Sequence, residues 1–266
     1  HYHMGLDGRT QQRENLDIYS MEEGYVSRIK IEPWGFGRAI YIDHPNGITS
    51  LYAHLNDFYP ELEAWVKQKQ YEAERWQIDI PVPAGLFPVK RKQLIAYSGN
   101  TGGSMGPHLH FEMRDTKTEV VLNPLKHGFH IADKTPPDVL RLAVYDRTIS
   151  TYEQSPRYIP LIKTAGGYTA QNIVLKTDRV SFGFTSYDRY TGSTNQNGIY
   201  GAALFLNNVE QCRFRMDSIH YSHTRYLNAH IDYKTKLSGG PYIQHLSLLP
   251  GHLHHIYSGG DGILTL

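Results

Sequence analysis

Two histidines one residue apart are the first candidates for chemistry in this 266-residue chain. In the stretch Gly106–Met113, polar and apolar residues alternate from residue 108 onwards. A β-strand would therefore place His108, His110 and Glu112 on one face and apolar side chains on the other. Imidazole is the commonest protein metal ligand and the commonest general base near neutral pH. The pair could bind a metal, transfer protons or simply cover a solvated strand.

The beginning of the chain carries a second histidine cluster. His3 precedes Asp7 by four residues, and Gly5 between them permits a tight backbone bend. With one histidine of the 108/110 pair, His3 and Asp7 would supply two imidazoles and one carboxylate. Catalytic zinc sites use three protein ligands and leave a further position to water. The sequence therefore predicts a three-ligand metal site.

A third element supplies one more histidine. Leu51–Leu55 again alternates, which predicts that Tyr52 and His54 share a face. The chain thus has enough histidine for both metal binding and proton transfer. Other mechanisms have less support: the single Cys212 has no catalytic context, and neither a strand-to-helix serine elbow nor a His-Glu-x-x-His helix is predicted.

Five motifs, in this order, resemble those of the M23 (lysostaphin-type, LytM) zinc metallopeptidases over roughly residues 1–128. They are His3-x-Gly5-x-Asp7, Tyr41 to Gly47, Leu51 to Leu55, Ser98 to Gly102, and Gly106 to Glu112. Members of that family usually carry a strand with a Phe-Gly-x-Arg-like segment before the first ligand. Nothing of that kind precedes His1, so we expect the N-terminal strand of the domain to be missing.

The resemblance implies a role for each polar residue. It implies one zinc ion (Zn2+) bound by His3, Asp7 and His110. It implies that His108 is the general base that takes a proton from the attacking water. His54 would then orient that water or stabilise the tetrahedral oxyanion.

The resemblance also implies a function. The expected activity is that of a zinc-dependent endopeptidase, which hydrolyses peptide cross-links of bacterial cell-wall peptidoglycan by a metal-activated water. The alternative is a non-catalytic LytM-like module that binds and activates another cell-wall hydrolase. Metal ligands are typically degraded in such modules, whereas all five polar residues are present here, and this favours the enzyme. The protein is expected in the periplasm or cell envelope of a bacterium, or secreted from it. A Gram-negative bacterium is favoured. A regulatory or upstream domain is a further expected partner.

Composition sets outer limits on these interpretations. A hydrophobic content of 40% is typical of a globular protein, and a formal net charge of +1 argues against nucleic acid as a partner. No run reaches the ~18 apolar residues that a membrane-spanning helix needs. The sequence alone therefore predicts a chain that does not span the membrane.

The first half reads as strands interrupted by one helix. Gly24–Ile31 alternates, and Pro45-Asn46-Gly47 between two β-rich runs predicts a hairpin. Over residues 58–80, large apolar residues recur at three- and four-residue spacing, and Pro60 suits a helix start. We expect an inserted helix there, which either walls a cleft or serves only for packing.

The polar, proline-marked segment Asp133–Asp138 predicts a domain boundary. Beyond it, short alternating runs separated by turn-rich segments, without a clear helix, favour an antiparallel β-sandwich. The expected fold is therefore mainly β. It comprises an antiparallel β-sheet LytM-type peptidase domain with an inserted helix at residues 1–132, followed by a β-sandwich accessory domain at residues 133–266. His252-Leu253-His254-His255 is a second His-x-His that could bind a metal, but no His-x-Gly-x-Asp accompanies it and its flanking residues are loop-like.

Overall fold

The structure is a computed structural model that describes residues 2–251 and 255–266. The chain forms two compact units, one spanning His3–Gly128 and the other comprising Phe129–Leu266 together with Tyr2. The assignment of a peptidase domain to residues 1–132 and an accessory domain to residues 133–266 stays a prediction. The structure confirms that the chain is mainly β with antiparallel sheets.

The unit spanning His3–Gly128 contains eleven strands, one α-helix and a short 3₁₀ helix at Pro124–Lys126. The strands and the helix are β1 (Leu6–Arg9), β2 (Asp17–Tyr19), β3 (Gly24–Ile31), β4 (Arg38–Asp43), β5 (Ile48–Ala53), β6 (Leu55–Phe58), α1 (Pro60–Glu72), β7 (Ile78–Pro81), β8 (Pro88–Val89), β9 (Leu94–Ser98), β10 (His108–Asp115) and β11 (Val121–Leu122).

The main sheet of this unit runs in the order β11-β10-β5-β4-β3-β7, with β1 also paired to β10 and β8 to β3. All of these pairs are antiparallel. The predicted hairpin is confirmed, because β4 pairs with β5 across residues 44–47. A second small sheet has the order β2-β9-β6.

The two faces of the main sheet differ, as period-two alternation requires. One face buries the apolar side chains Ile40, Ile42, Tyr52, Phe111 and Met113. The other face carries a small apolar cluster of Ala39, Tyr41, Leu51 and Ala53, against which Phe36 packs. His110 and Glu112 lie on this second face, since they pair across the sheet with Ala53 and Leu51.

The inserted helix is shorter than the sequence predicts. Helix α1 begins at Pro60, as expected, but it ends at Glu72, and Glu74 adopts a left-handed backbone conformation with φ of 50°. Ile80 lies in β7 and pairs with Ile29 of β3, so the apolar spacing beyond residue 72 belongs to a strand. Leu62 and Val66 bury the inner face of the helix.

In its described residues, the second unit contains eleven further strands and a helical segment. They are β12 (Asp138–Asp146), β13 (Arg157–Ile159), β14 (Ile162–Thr164), β15 (Gly167–Thr169), β16 (Arg179–Tyr187), β17 (Gly201–Leu206), β18 (Val209–Arg215), β19 (Ser218–Ile219), a 3₁₀ helix (Tyr221–Tyr226), α2 (Leu227–His230), α3 (Tyr233–Leu237), β20 (Gln244–His245), β21 (Tyr257–Ser258) and β22 (Leu264–Thr265).

Two sheets share the core of this unit. One has the order β13-β12-β16-β20 with β22 beside β16, and the other has the order β17-β18-β21. Phe184 of the first sheet and Phe214 of the second belong to one buried apolar cluster. The expectation of no helix was wrong, because residues 221–237 are largely helical. The β-sandwich stays a prediction. Among the described residues, no helix combines the length and apolar character that crossing a membrane requires.

Lowering the pH is expected to destabilise the second unit through His245. Burial of this side chain lowers its pKa from 6.5 to about 4, and Nδ1 has no hydrogen-bond partner among the described residues. The unfolded chain therefore takes up a proton near pH 6.5, whereas the folded unit excludes it down to about pH 4. The stabilising effect of the neutral ring is complete above pH 6.5 and is lost as the pH falls through 4. The difference amounts to about 3 kcal/mol.

Urea unfolding followed by circular dichroism at pH 7 and pH 4 measures this effect. His245→Gln is expected to lose less stability between the two pH values than the unchanged chain does. His130→Gln, at an exposed position of the same unit, is the matched control. Equal losses in His245→Gln and in the unchanged chain would contradict the prediction.

Candidate metal centre

The pairing of β1 with β10 brings together the two ends of the predicted ligand set. Asp7 lies opposite His110 in this antiparallel pair. Asp7 Oδ1 is 3.1 Å from His110 Nδ1 and 3.0 Å from His3 Nε2. Gly5 is needed for close approach, because a Cβ there would lie 2.3 Å from the Phe111 carbonyl oxygen. The His-x-Gly-x-Asp spacing thus lets this segment press against β10.

His3, Asp7 and His110 form a group that could hold a metal ion. One ligand atom from each lies within 4.8 Å of the others, and this is the one such group of three found in the described part of the chain. Two imidazole nitrogens and one carboxylate oxygen are a donor set that suits catalytic zinc. Of the 108/110 pair, His110 points a nitrogen at Asp7 from closer range, since His108 Nε2 is 3.7 Å away.

Without a metal, the Asp7 carboxylate interacts with protons on the two imidazoles. Partial burial alone raises the pKa of Asp7, but hydrogen bonds with His110 and His3 outweigh it and hold that pKa well below its usual range. Burial lowers the pKa of His110, whereas hydrogen bonds with Asp7 and Glu112 raise it to about 9. A metal ligand must be unprotonated, so metal binding must release the proton of His110. Acid therefore opposes metal binding.

A buried carboxylate fixes the ring of His110 from behind. Glu112 Oε1 lies 3.0 Å from His110 Nε2, which leaves Nδ1 directed at Asp7. Arg114 in turn donates to Glu112 Oε2 from Nε at 2.9 Å and from Nη2 at 2.7 Å. Carboxylates in this position orient metal-bound histidines and set their tautomer. Glu112 lies on the face that the alternation predicts, but its role behind His110 was not predicted. The available signal was an acidic residue two residues after His110, followed by a basic residue two residues later.

Replacing Glu112 by glutamine is expected to weaken zinc binding by about 10- to 100-fold, since partners behind a ligand contribute on that scale. The charge that holds the His110 ring and balances Arg114 is lost, so the melting temperature should fall as well. Zinc affinity is measured by competition with a chelator at a temperature where the variant is folded. Glu119→Gln on an exposed site of the same unit is the control, and equal zinc affinities in the two variants would contradict the prediction.

His54 reaches the site through an unusual backbone conformation. It lies between β5 and β6 with φ of 61°, a left-handed value that non-glycine residues rarely adopt. This conformation breaks the alternation, so Tyr52 contacts Phe111 on one face while the His54 ring approaches His108 and His110 on the other. The prediction that Tyr52 and His54 share a face was therefore wrong.

Backbone carbonyls hold both remaining histidines. His54 Nδ1 lies 2.8 Å from the Thr101 carbonyl oxygen, and His108 Nδ1 lies 2.8 Å from that of Gly106. Because a carbonyl can only accept, each Nδ1 carries the hydrogen, and in the neutral rings the lone pair is on Nε2. The centroids of the two rings are 4.7 Å apart. Burial lowers the pKa of His54, which favours its neutral form.

A serine lies close to this pair without the geometry of a nucleophile elbow. Residues 102–106 read Gly-x-Ser-x-Gly, and Ser104 Oγ is 3.1 Å from His108 Nδ1. An elbow, however, requires a turn from strand to helix, whereas this loop leads into strand β10. The Ser104 hydroxyl donates to the Gly106 carbonyl at 2.7 Å, so it serves the loop that holds His108.

The structure thus brings His3, Asp7, His54, His108 and His110 into one site. Their individual roles stay predictions. A second metal site was hypothesised at residues 252–255. Of these, residues 252–254 lie outside the described residues.

Comparison with known sequences gives a family match at the start of the chain. Residues 1–74 match the sequence model of peptidase family M23. This range includes His3, Asp7 and His54 and ends before His108. A DD-carboxypeptidase/endopeptidase Mpg of Neisseria meningitidis serogroup B is 27% identical over 159 residues, which are 60% of this chain and 30% of that relative. The chain thus spans less than a third of the length of the curated relatives it matches.

Two further proteins are similar to part of this chain. An uncharacterized metalloprotease of Haemophilus influenzae is 29% identical over 123 residues, which are 46% of this chain and 20% of that relative. Among solved structures, a zinc containing peptidase from Vibrio cholerae is 28% identical, with a TM-score of 0.32 over 45% of this chain and 29% of the other.

Proposed function

This chain carries a peptidase family M23 domain, and on that premise we propose that it is a zinc-dependent endopeptidase that hydrolyses peptide cross-links of bacterial peptidoglycan. The observation that carries the proposal is the group of His3, Asp7 and His110, flanked by two further histidines. The chain's similarity to a carboxypeptidase/endopeptidase supports peptide hydrolysis.

His3, Asp7 and His110 are the residues that would hold the zinc ion. The donor set fits, since it combines two imidazoles with a carboxylate, and the buried carboxylate of Glu112 lies behind one of those imidazoles. When bound, zinc supplies Lewis-acid chemistry, which acidifies water and polarises a peptide carbonyl.

His108 and His54 would handle the protons of the reaction. Each ring is held by a backbone carbonyl at Nδ1, and so each can take a proton at Nε2. We assign to His108 the role of general base toward the attacking water, because its Nε2 is 3.7 Å from Asp7 of the ligand group. His54, whose ring centroid lies 4.7 Å from that of His108 and 5.9 Å from that of His110, would orient the water or, when protonated, donate to the oxyanion.

The proposed substrate fixes the proposed location. Peptidoglycan lies outside the cytoplasmic membrane, so the protein would act in the periplasm or elsewhere in the cell envelope. Family resemblance supports the substrate, and the residues of the site support the chemistry.

The test combines zinc analysis with a cleavage assay. The protein is analysed for zinc by elemental analysis, and peptide release from purified peptidoglycan is followed with and without a chelator. Stoichiometric zinc, cleavage that stops with chelator and cleavage that returns with added zinc are the expected results. The masses of the released peptides identify the bond.

Two other outcomes would overturn the proposal. Zinc binding without cleavage of any peptidoglycan preparation would favour a non-catalytic module, and activation of a second cell-wall hydrolase by the chain would then be tested. Cleavage that is unaffected by removal of zinc would exclude the metal mechanism.

A further inference from the structure

We propose that Thr101 is the positioning residue of the site, which locks His54 in one tautomer and one orientation, and that helix α1 braces it through Arg38 and Glu63. This inference rests on the proposed function, because it assigns a purpose to residues that act on His54. Thr101 itself is not placed against the reacting atoms.

Thr101 contacts the imidazole of His54 through its backbone carbonyl. The Thr101 carbonyl oxygen accepts from His54 Nδ1 at 2.8 Å. This bond keeps hydrogen off Nε2 in the neutral ring, and Nε2 is the nitrogen left to act on the reaction. The His54 backbone is also held, because its N–H donates to the Phe36 carbonyl at 2.9 Å. Left-handed backbone conformations are unfavourable for residues other than glycine and persist where their surroundings enforce them.

The hydroxyl of Thr101 holds the residue, and with it the carbonyl, in place. Thr101 Oγ1 donates to the Leu55 carbonyl at 2.9 Å and accepts from the Arg38 N–H at 3.0 Å. Thr101 therefore bridges the start of β4 and the residue that follows His54. Neighbouring loops are in very close contact here, since a Cβ at Gly37 would lie 2.3 Å from Thr101 Oγ1. A side chain without a hydroxyl would remove one hydrogen bond from each of these two backbone groups.

Arg38 connects this bridge to the inserted helix. Glu63 of α1 is buried and accepts from Arg38 Nη2 and from the Phe58 N–H. The Arg38 guanidinium also lies over the Phe58 ring, 4.8 Å from its centroid. Arg38 thus carries one contact to the helix on its side chain and one to Thr101 on its backbone. The helix has a role beyond packing, because Glu63 holds Arg38 at the start of β4, and the Arg38 N–H donates to Thr101.

Thr101→Val is the main test, since valine keeps the shape and removes the hydroxyl. We expect kcat on peptidoglycan peptides to fall by about 10- to 100-fold, the scale that misplacement of a catalytic group produces. KM and zinc content should stay unchanged. Thr101→Ser, which restores the hydroxyl, should recover most of kcat. Thr118→Val removes a hydroxyl bonded to Asp115 at the other end of β10 and is the matched control.

A second readout does not depend on activity. Nitrogen-15 NMR of the histidine side chains at a pH where His54 is neutral reports which ring nitrogen carries hydrogen. We expect the Nδ1–H form in the unchanged chain and in Thr101→Ser, and a mixture in Thr101→Val. If the unchanged chain cleaves nothing, the proposed function fails. The NMR comparison still tests whether Thr101 holds His54 in one tautomer.

A folded, zinc-loaded Thr101→Val with unchanged kcat and a pure Nδ1–H form would overturn the proposal. If that variant is unstable, Glu63→Gln keeps the acceptor oxygen but removes the charge that pairs with Arg38. It is expected to lower kcat in the same direction by a smaller factor. Unchanged kcat in zinc-loaded Glu63→Gln would overturn the part assigned to the helix.

Discussion

Replacing His110 by alanine is expected to abolish zinc binding and peptidoglycan cleavage together. The ring supplies one of three ligands, and it lies on β10 with Glu112 behind it. Loss of a partner behind a ligand weakens zinc binding by about 10- to 100-fold, and loss of the ligand itself should exceed that. Zinc content after dialysis and the rate of peptide release are the two measurements.

The control for this experiment is His127→Ala, which removes an exposed histidine from the same unit. It should retain both zinc and activity. Full zinc occupancy in His110→Ala at limiting zinc would show that His110 is not a ligand. The proposed site would then have to be withdrawn.

Replacing His108 by alanine is expected to separate the two properties. The ligand group does not include His108, so zinc should be retained. Turnover should fall by about 100- to 10,000-fold, because general bases contribute on that scale. Removing the ring also deprives the Gly106 carbonyl of one of its donors, so circular dichroism must show that the variant is folded.

Comparison with His44→Gln controls for loss of a histidine from the same unit. His44 is buried, bonds Ser50 Oγ and the Glu23 carbonyl, and has no place in the proposed reaction. A zinc-replete His108→Ala variant that turns over at the unchanged rate would refute the base role. Activity would then have to be sought at His54.

Local patterns predicted the elements that carry most of the site. Alternation predicted β10, and the Pro-Asn-Gly turn predicted the β4–β5 hairpin, because sheet faces and tight turns have short-range signatures. The pairing of Asp7 with His110, 103 residues apart, has no such signature. Residue types grouped Asp7 with one histidine of the 108/110 pair, and only the resemblance to a known family singled out His110.

The failures have physical causes of their own. His54 left the predicted face because a single left-handed residue reverses the alternation, and residue type alone does not reveal that conformation. The predicted end of α1 was too late in the chain because Trp76 and Ile80 continue the helical spacing of apolar residues. Ile80 in fact lies in strand β7, where it pairs with β3. In residues 221–237, tyrosine and histidine obscure the helical period, and the three helices there are short.

The pairing of β1 with a single strand, β10, has a kinetic consequence. β1 is four residues long and mostly exposed, whereas β10 is also paired with β5. Asp7 lies in β1 and His3 just before it, so opening of this one strand would detach two of the three proposed ligands while the rest of the sheet stays folded. Bound zinc would in turn hold the strand closed. The residence time of the metal would then report the opening rate of β1, not the unfolding rate of the whole unit.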